Sequence, residues 1–255
     1  MLFDSHAHLD SSKFNQDRDA VIKRAHESGV KWIMNPGADY ESSVDAVKLA
    51  ETYDFMYAAV GIHPHDAKSL DDMMLGLIKA MARKKKVKAI GEIGLDYHYD
   101  FSPRDEQIYW FRKQLQLAKE LKMPVIIHDR EANHDVMMIL KEENSFETGV
   151  LMHCFSGSAE LARQYVNLGA YISIAGPVTF KNSRKLIEVV ETVPMNRLMI
   201  ETDSPYLTPT PFRGKRNESA HVRYIAEKIA EIKGLTFEDV AEQTAINAKK
   251  YFNID

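Results

Sequence analysis

Met1-Leu-Phe-Asp-Ser-His-Ala-His-Leu-Asp10 opens the chain, and its reading decides the fold. Leu2 and Phe3 supply the apolar run of a short strand. His6 and His8, two residues apart, leave the same face of an extended backbone, so both imidazoles reach one point at the strand's C-terminal end. That is a metal-ligand geometry. Taken alone, two polar residues in a loop after a short strand is the simpler reading, and the pair acquires meaning only if the rest of the chain returns to it.

Working outward, one unit recurs: a short apolar run, a few polar, Gly or Pro residues, then a stretch of helical periodicity. Strands are predicted at 2–5, 31–35, 57–62, 87–93, 124–128, 149–153, 170–174 and 197–201. Helices are predicted at 17–28, 41–52, 69–82, 104–121, 132–143, 159–168 and 183–190, with apolar residues spaced as Leu115, Ala118 and Leu121 are. Gly29 and Gly169 close helices just before strands, while Pro124 and Pro194 follow others. Two further helical patterns, 221–232 and 236–252, come after a polar loop at 208–218. Strand and helix alternating eight times predicts parallel strands with helices outside, and 255 residues match the roughly 250 of a (β/α)8 TIM-type barrel. A doubly wound open sheet would use the same alternation. Against it stands the His-Ala-His after the first strand, where that fold carries a Gly-rich phosphate turn. No linker or change of composition interrupts the chain, so 1–255 is expected to be a single domain with C-terminal helices.

Composition narrows the function classes. Hydrophobic content of 45% and charged content of 27% are those of an ordinary globular protein. A net charge of -4 argues against a surface dominated by attraction to nucleic acid, so any recognition of a polyanion must be local. The single cysteine, Cys154, excludes an internal disulfide and suits a reducing compartment. With no apolar run of about 18 residues and no signal-peptide pattern, a cytoplasmic protein without membrane partners is expected.

In such a barrel the chemistry collects at the C-terminal ends of the strands. The polar residues there are His6, His8, His63, Glu92, His128, His153 and Asp203, so five of the ten histidines fall at one level together with two carboxylates. Any one of them alone is more often a hydrogen-bonded structural group; together they predict a metal site. Imidazoles with carboxylates suit zinc, manganese, iron or nickel better than ions preferring all-oxygen shells. Six good ligands exceed one tetrahedral site and accommodate two divalent ions, with Glu92, central in the strand order, as the natural bridge. Two such ions lower the pKa of bound water and stabilise both oxygens of a displacement at phosphorus. Asp203 would orient the hydroxide or take its proton.

With these residues in place, the chain resembles the TatD family of metal-dependent deoxyribonucleases, within the amidohydrolase-like barrels. The matching segments run the whole length: Phe3-Asp-Ser-His-Ala-His-Leu-Asp10, Val60-Gly-Ile-His-Pro-His65, Ile90-Gly-Glu-Ile-Gly-Leu-Asp-Tyr97, Pro124-Val-Ile-Ile-His-Asp-Arg130, His153-Cys-Phe-Ser-Gly-Ser158, Glu201-Thr-Asp-Ser-Pro-Tyr-Leu207 and Arg213-Gly-Lys-Arg-Asn-Glu218. The resemblance implies two divalent ions, one held by His6, His8, Glu92 and Asp203, the other by Glu92, His128 and His153. The ion is one of Mg, Mn, Zn, Ni or Fe. It also implies hydrolysis of DNA phosphodiester bonds by a metal-activated hydroxide, as an exonuclease working from the 3′ end of single strands. His63 and His65 resemble the family's third-strand motif, as phosphate contacts or as support for the ligands. Where the family usually continues Asn-Glu-Pro, this chain has Asn217-Glu218-Ser219, which spares the ligands but bears on the rigidity of that loop. Related lactonases, phosphotriesterases and cyclic-amide hydrolases place a bridging lysine at a strand end, and no Lys falls there in this chain. The competing functions are hydrolysis of small-molecule ester, lactone or amide bonds by the same chemistry, and a non-catalytic barrel, which the full ligand set disfavours.

Several features have two readings. Arg213, Lys215 and Arg216, after the eighth strand, are placed to bind phosphates flanking a scissile bond, or form a solvated loop. Tyr97, Tyr99 and Phe101, after the fourth strand, stack on exposed bases or pack over the barrel. Arg83-Lys-Lys-Lys86 with Lys88 precedes the fourth strand and is read as solvated surface on the opposite rim. Cys154, alternating with His153, is expected to point away from the metals as a buried, inert thiol. His26, His134 and His221 are read as surface or packing residues.

Overall fold

The computed structural model describes residues 1–255 and contains all eight predicted strands. They are β1 (Leu2–Asp4), β2 (Val30–Pro36), β3 (Met56–Val60), β4 (Val87–Asp96), β5 (Val125–Arg130), β6 (Val150–Met152), β7 (Tyr171–Ile174) and β8 (Leu198–Ile200), ordered β1 to β8 in one sheet. Between them run α1 (Arg18–Glu27), α2 (Tyr40–Thr52), α3 (Asp72–Ala82), α4 (Arg104–Leu121), α5 (Asn133–Glu142), α6 (Ala159–Asn167) and α7 (Arg184–Thr192). The helices α8 (Val222–Lys233) and α9 (Phe237–Tyr251) follow β8. A doubly wound sheet reverses its strand order at a switch point. Here the order never reverses, and β8 returns beside β1 through Ser5 N–H donating to Ile200 O at 3.0 Å and a parallel bridge between Ala7 and Ser204. This is the connectivity of the (β/α)8 barrel. No helix is long and apolar enough to cross a membrane.

The chain divides into two compact units, residues 1–35 with 154–255, and residues 36–153. In the first, β7 pairs with β8 and β1 with β2, all parallel. Its core is built on Phe3, whose ring stacks on Trp32 at 6.1 Å and on Phe252, just past α9, at 5.9 Å. Asn247 on α9 donates to the carbonyls of Met195 and Leu198, both at 2.7 Å, and so fixes that helix to the start of β8.

In the second unit β3, β4, β5 and β6 pair in sequence, again in parallel. Strands buried on both faces read as continuous apolar runs, as 58–60 and 125–127 do. Two buried glutamines of α4 take over backbone hydrogen bonding at the strand ends. Gln114 accepts from Ile62 N–H at 2.8 Å and donates to its carbonyl at 3.0 Å. Gln107 accepts from Asp96 N–H at 2.9 Å and donates to Ser102 O at 2.8 Å. These amides satisfy buried main-chain groups that have no strand partner.

Three differences from the expected elements matter for function. β4 runs three residues past the expected end, to Asp96, because its pairing continues through Asp96 opposite Arg130 of β5. β6 stops at Met152, so His153 and Cys154 lie beyond the strand. α3 begins at Asp72, capped by Asp71 accepting from Met74 N–H at 2.7 Å, and 64–69 form short 3-10 turns instead.

Gly94 lets β4 approach β5. It has φ +150°, and a Cβ there would lie 1.9 Å from the His128 carbonyl oxygen. Gly94→Ala is expected to cost about 3 kcal/mol or more, from strain in both the backbone and the packed strands. Chemical denaturation checks this, and a midpoint equal to that of the parent would overturn it.

Candidate metal centre

In the first unit the site is built on the chain that leaves β1. Ala7 N–H donates to Met34 O at 3.0 Å, and the same residue bridges to Ser204, so the backbone between the two histidines stays extended. Both side chains therefore leave on one side, as predicted. His6 Nε2 and His8 Nε2 stand 3.1 Å apart, and Asp203 Oδ1 lies 3.9 and 3.6 Å from them. Donors about 2.1 Å from a shared tetrahedral ion lie about 3.4 Å apart, so these separations fit a divalent cation. Asp203 sits in the left-handed region at φ +55°, unusual for a residue other than Gly or Asn and of the kind that clusters at functional sites.

Two carboxylates behind this set were not singled out in the sequence. Asp4 is fully buried and accepts from Thr202 N–H at 2.8 Å and Thr202 Oγ1 at 2.7 Å, tying β1 to the chain after β8. Burial pushes its carboxyl up to about 7, against the lowering effect of hydrogen bonds from Thr202 and Ser219. Ser219 is thus a buried neighbour of Asp4. Glu201 is also fully buried, accepts from Cys154 N–H at 2.8 Å, and offers an oxygen within 4.8 Å of a His6 ring nitrogen.

In the second unit everything turns on Glu92, which is 3% exposed. Its Oε1 lies 2.8 Å from His128 Nδ1, 3.3 Å from His153 Nε2 and 3.5 Å from His63 Nε2. His63, expected near the substrate, thus stands among the predicted ligands. Burial, reinforced by the neighbouring His128, pushes its imidazole down to about 3 and keeps it neutral. Its Nδ1 accepts from His65 N–H at 3.2 Å, which turns Nε2 to Glu92.

His128 carries the test of fit. Both of its ring nitrogens face carboxylate oxygens, Nδ1 toward Glu92 at 2.8 Å and Nε2 toward Asp96 Oδ2 at 3.0 Å. A neutral imidazole has one N–H, so either the ring is protonated or a cation takes the proton's place on one side. Burial alone would push this imidazole down, but hydrogen bonds to Asp96 and Glu92 more than offset it and leave it raised. A histidine donating one N–H to a carboxylate while its other nitrogen meets a cation is the usual arrangement at metal sites. Asp96 fits the orienting part. It accepts from His65 Nε2 at 2.9 Å and from the N–H groups of His98 and Tyr99 at 3.0 and 2.9 Å. Burial works to raise its carboxyl, yet the bonds from His128, Tyr99 N–H and His65 hold it well below the usual range. Asp96 follows Glu92 by four residues on one strand face, the signal that would have found it. Asp96→Asn is expected to weaken metal binding about 10- to 100-fold with the fold intact. Metal titration followed by calorimetry checks this; unchanged affinity would remove the orienting role.

The remaining predicted residues divide. Arg216 donates to both oxygens of Asp17 at 2.8 and 2.6 Å and lies over Phe14, so it braces its loop against the start of α1. Arg213, over the Phe180 ring at 4.2 Å, and Lys215 are exposed. Tyr97 donates to Asp135 at 2.7 Å beneath the Arg104 guanidinium, whereas Tyr99 and Phe101 are 48% and 55% exposed. His26 and His134 are exposed on helices, and His221 stacks on Phe212 at 4.7 Å, as expected of surface and packing residues. The expectation for Cys154 is corrected. Because β6 ends before it and its φ is +42°, the alternation does not apply. The thiol is half-buried, with its sulfur within 4.8 Å of an Asp203 oxygen.

The family model for TatD related DNase matches residues 3–253. The uncharacterized metal-dependent hydrolase YabD of Bacillus subtilis is 51% identical over 255 residues, covering all of both chains. The 3′-5′ ssDNA/RNA exonuclease TatD of Salmonella typhimurium is 36% identical over 99% of both. Among solved structures, the TatD homolog YjjV of Escherichia coli superimposes with a TM-score of 0.93 at 32% identity, over 100% of this chain and 98% of that one. A match over nearly the whole length, joined to donor sets suited to divalent cations, means that the chain belongs to the TatD-related DNase family and is a metal-dependent hydrolase.

Proposed function

We propose that the chain is a 3′-5′ exonuclease that hydrolyses phosphodiester bonds at the ends of single-stranded DNA, acting in the cytoplasm as one domain over residues 1–255. Two divalent cations serve it, one held by His6, His8 and Asp203, the other by Glu92, His128 and His153. The observation that carries the reading is His128, whose two nitrogens each meet a carboxylate at hydrogen-bond distance. Divalent cations supply Lewis-acid charge and lower the pKa of water, which suits hydrolysis at phosphorus.

The protein's own groups do the rest. Asp203, with its Oδ1 3.9 and 3.6 Å from the His6 and His8 rings, takes the proton of the attacking water as the new P–O bond forms; the bond to the leaving nucleoside oxygen breaks, and that oxygen takes a proton from water. Asp96 holds the His128 ring with Nδ1 facing Glu92. His63 and His65 line the approach to Glu92, with His65 the more exposed of the two and the better placed for phosphate. Arg213 and Lys215 contact flanking phosphates, while Arg216 keeps their loop in place through Asp17.

Digestion of end-labelled single-stranded DNA with added Mg²⁺ or Mn²⁺ tests the reading, with Asp203→Asn as control. The expected result is stepwise shortening from the 3′ end by the parent alone. No cleavage under any divalent metal, alongside turnover of a lactone or amide panel, would move the chain to the small-molecule hydrolases.

A further inference from the structure

Tyr99 and Phe101 form the one pair of half-exposed rings that sits directly on the predicted site machinery of the second unit. They stack on each other at 5.2 Å with planes 23° apart. His65 lies edge-on beneath both, at 5.4 and 4.8 Å, and its centroid is 6.2 Å from that of His128. The loop carrying them is braced at each step. Asp96 accepts from the N–H groups of His98 and Tyr99, and Lys68 Nζ donates to Phe101 O at 2.9 Å. Ser102 Oγ donates to His65 O at 2.8 Å, while Arg104 clamps Asp100 at 2.8 and 2.7 Å. Two apolar rings are therefore held in water by a frame whose polar groups are satisfied, and a surface ordered in advance binds without an entropic cost of ordering. Tyr97 in the same loop is tied to Asp135 and takes no part.

Resting on the nuclease reading above, we infer that the Tyr99–Phe101 pair is a stacking platform for a nucleobase of the single-stranded substrate, close to the nucleotide whose phosphate would meet the cation that Glu92 and His128 would hold. Three features select a nucleotide over an apolar partner. The platform is only two rings wide, the size of a base. Cationic groups border it, with the Arg130 guanidinium 5.3 Å from the Tyr99 ring and Lys68 beside Phe101. It is continuous with the site, since His65 touches both rings and shares Asp96 with His128. Stacking needs only a π-face, so the platform accepts any base, and a base in a duplex is not available to it. It thereby favours single strands without favouring a sequence.

The test uses the metal-loaded full chain and short fluorescein-labelled phosphorothioate DNA that resists turnover, read by anisotropy. The double variant Tyr99→Ser/Phe101→Ser is expected to bind between about fivefold and a hundredfold more weakly for each base lost from the platform, with metal content unchanged. Phe101→Trp is expected to bind at least as tightly as the parent. An abasic residue placed at successive positions from the 3′ end should weaken the parent at one position and leave the double variant indifferent there. 2-Aminopurine at that position should be quenched by the parent alone. If the parent binds and cleaves DNA while ring removal and abasic substitution change nothing, the platform is wrong and the nuclease stands. If the parent neither binds nor cleaves single-stranded nucleic acid, the nuclease reading fails and the platform with it.

Discussion

Glu92→Gln is expected to lower kcat/KM about a thousandfold or more and to strip metal from the second-unit set, with the circular dichroism of the fold kept. The size follows from the crowding at Oε1, where three imidazole nitrogens stand within 3.5 Å of one buried carboxylate oxygen. An amide of the same shape carries no charge, and its NH2 end would turn a donor toward nitrogens that must themselves be donors of electron pairs. The loss in metal affinity should exceed the roughly 10- to 100-fold typical of an outer-sphere partner such as Asp96. In rate it should reach the upper end of what removing one preorganised electrostatic group costs, about 100- to 1,000-fold, or pass it. Metal analysis after dialysis, beside the rate on labelled DNA, checks both parts. Full metal retention in this variant would show that Glu92 is not a ligand.

The second large effect is expected at Asp203. Asp203→Asn should lower kcat by about 100- to 10,000-fold, the range for a positioned general base, and shift the melting temperature by no more than a few degrees. The small structural effect has a backbone reason. At φ +55° most residues are strained, but Asn adopts this conformation at least as readily as Asp, so the substitution removes charge without moving the main chain. Asp203→Val at the same position should lose stability as well, because a β-branched residue there is a conformational outlier. Comparing the two by calorimetry separates the chemical from the conformational role. Equal activity in Asp203→Asn and the parent would remove Asp203 from the reaction.

Much of the architecture was legible because it is local. α4 spans Arg104–Leu121, the range that its apolar spacing predicts. Burial of a helix face is written in a period of 3.6, and no distant residue is needed to read it. The predicted strands all exist for the same reason, though β4 outran its apolar pattern. Its end is set by how far β5 continues beside it, up to Asp96 opposite Arg130, and pairing partners far apart in sequence leave no local mark. Asp96 was overlooked because the strand was expected to end at 93, although its spacing of four from Glu92 puts both on one strand face. Cys154 was misjudged by the mirror-image error. Alternation was extended past Met152 into a residue whose backbone is no longer a strand. Arg216 and Tyr97 share a further cause. A charged or phenolic side chain looks equally available in sequence whether or not Asp17 or Asp135 waits to receive it.

By itself the sequence determined the alternation of strands and helices, the donor residues at the strand ends and, through motifs spread over the whole chain, the family. Side-chain direction in a strand follows from a period of two, so His6 and His8 had to leave one face wherever that strand lay. Tertiary structure alone decided which atoms meet. It placed His63 against Glu92 and set Asp96 between His65 and His128. It also separated the rings of Tyr99 and Phe101, held in water, from that of Tyr97, held by Asp135. Hydrogen bonds of about 3 Å depend on register and approach between strands distant in the chain, and those are settled only when the strands pack.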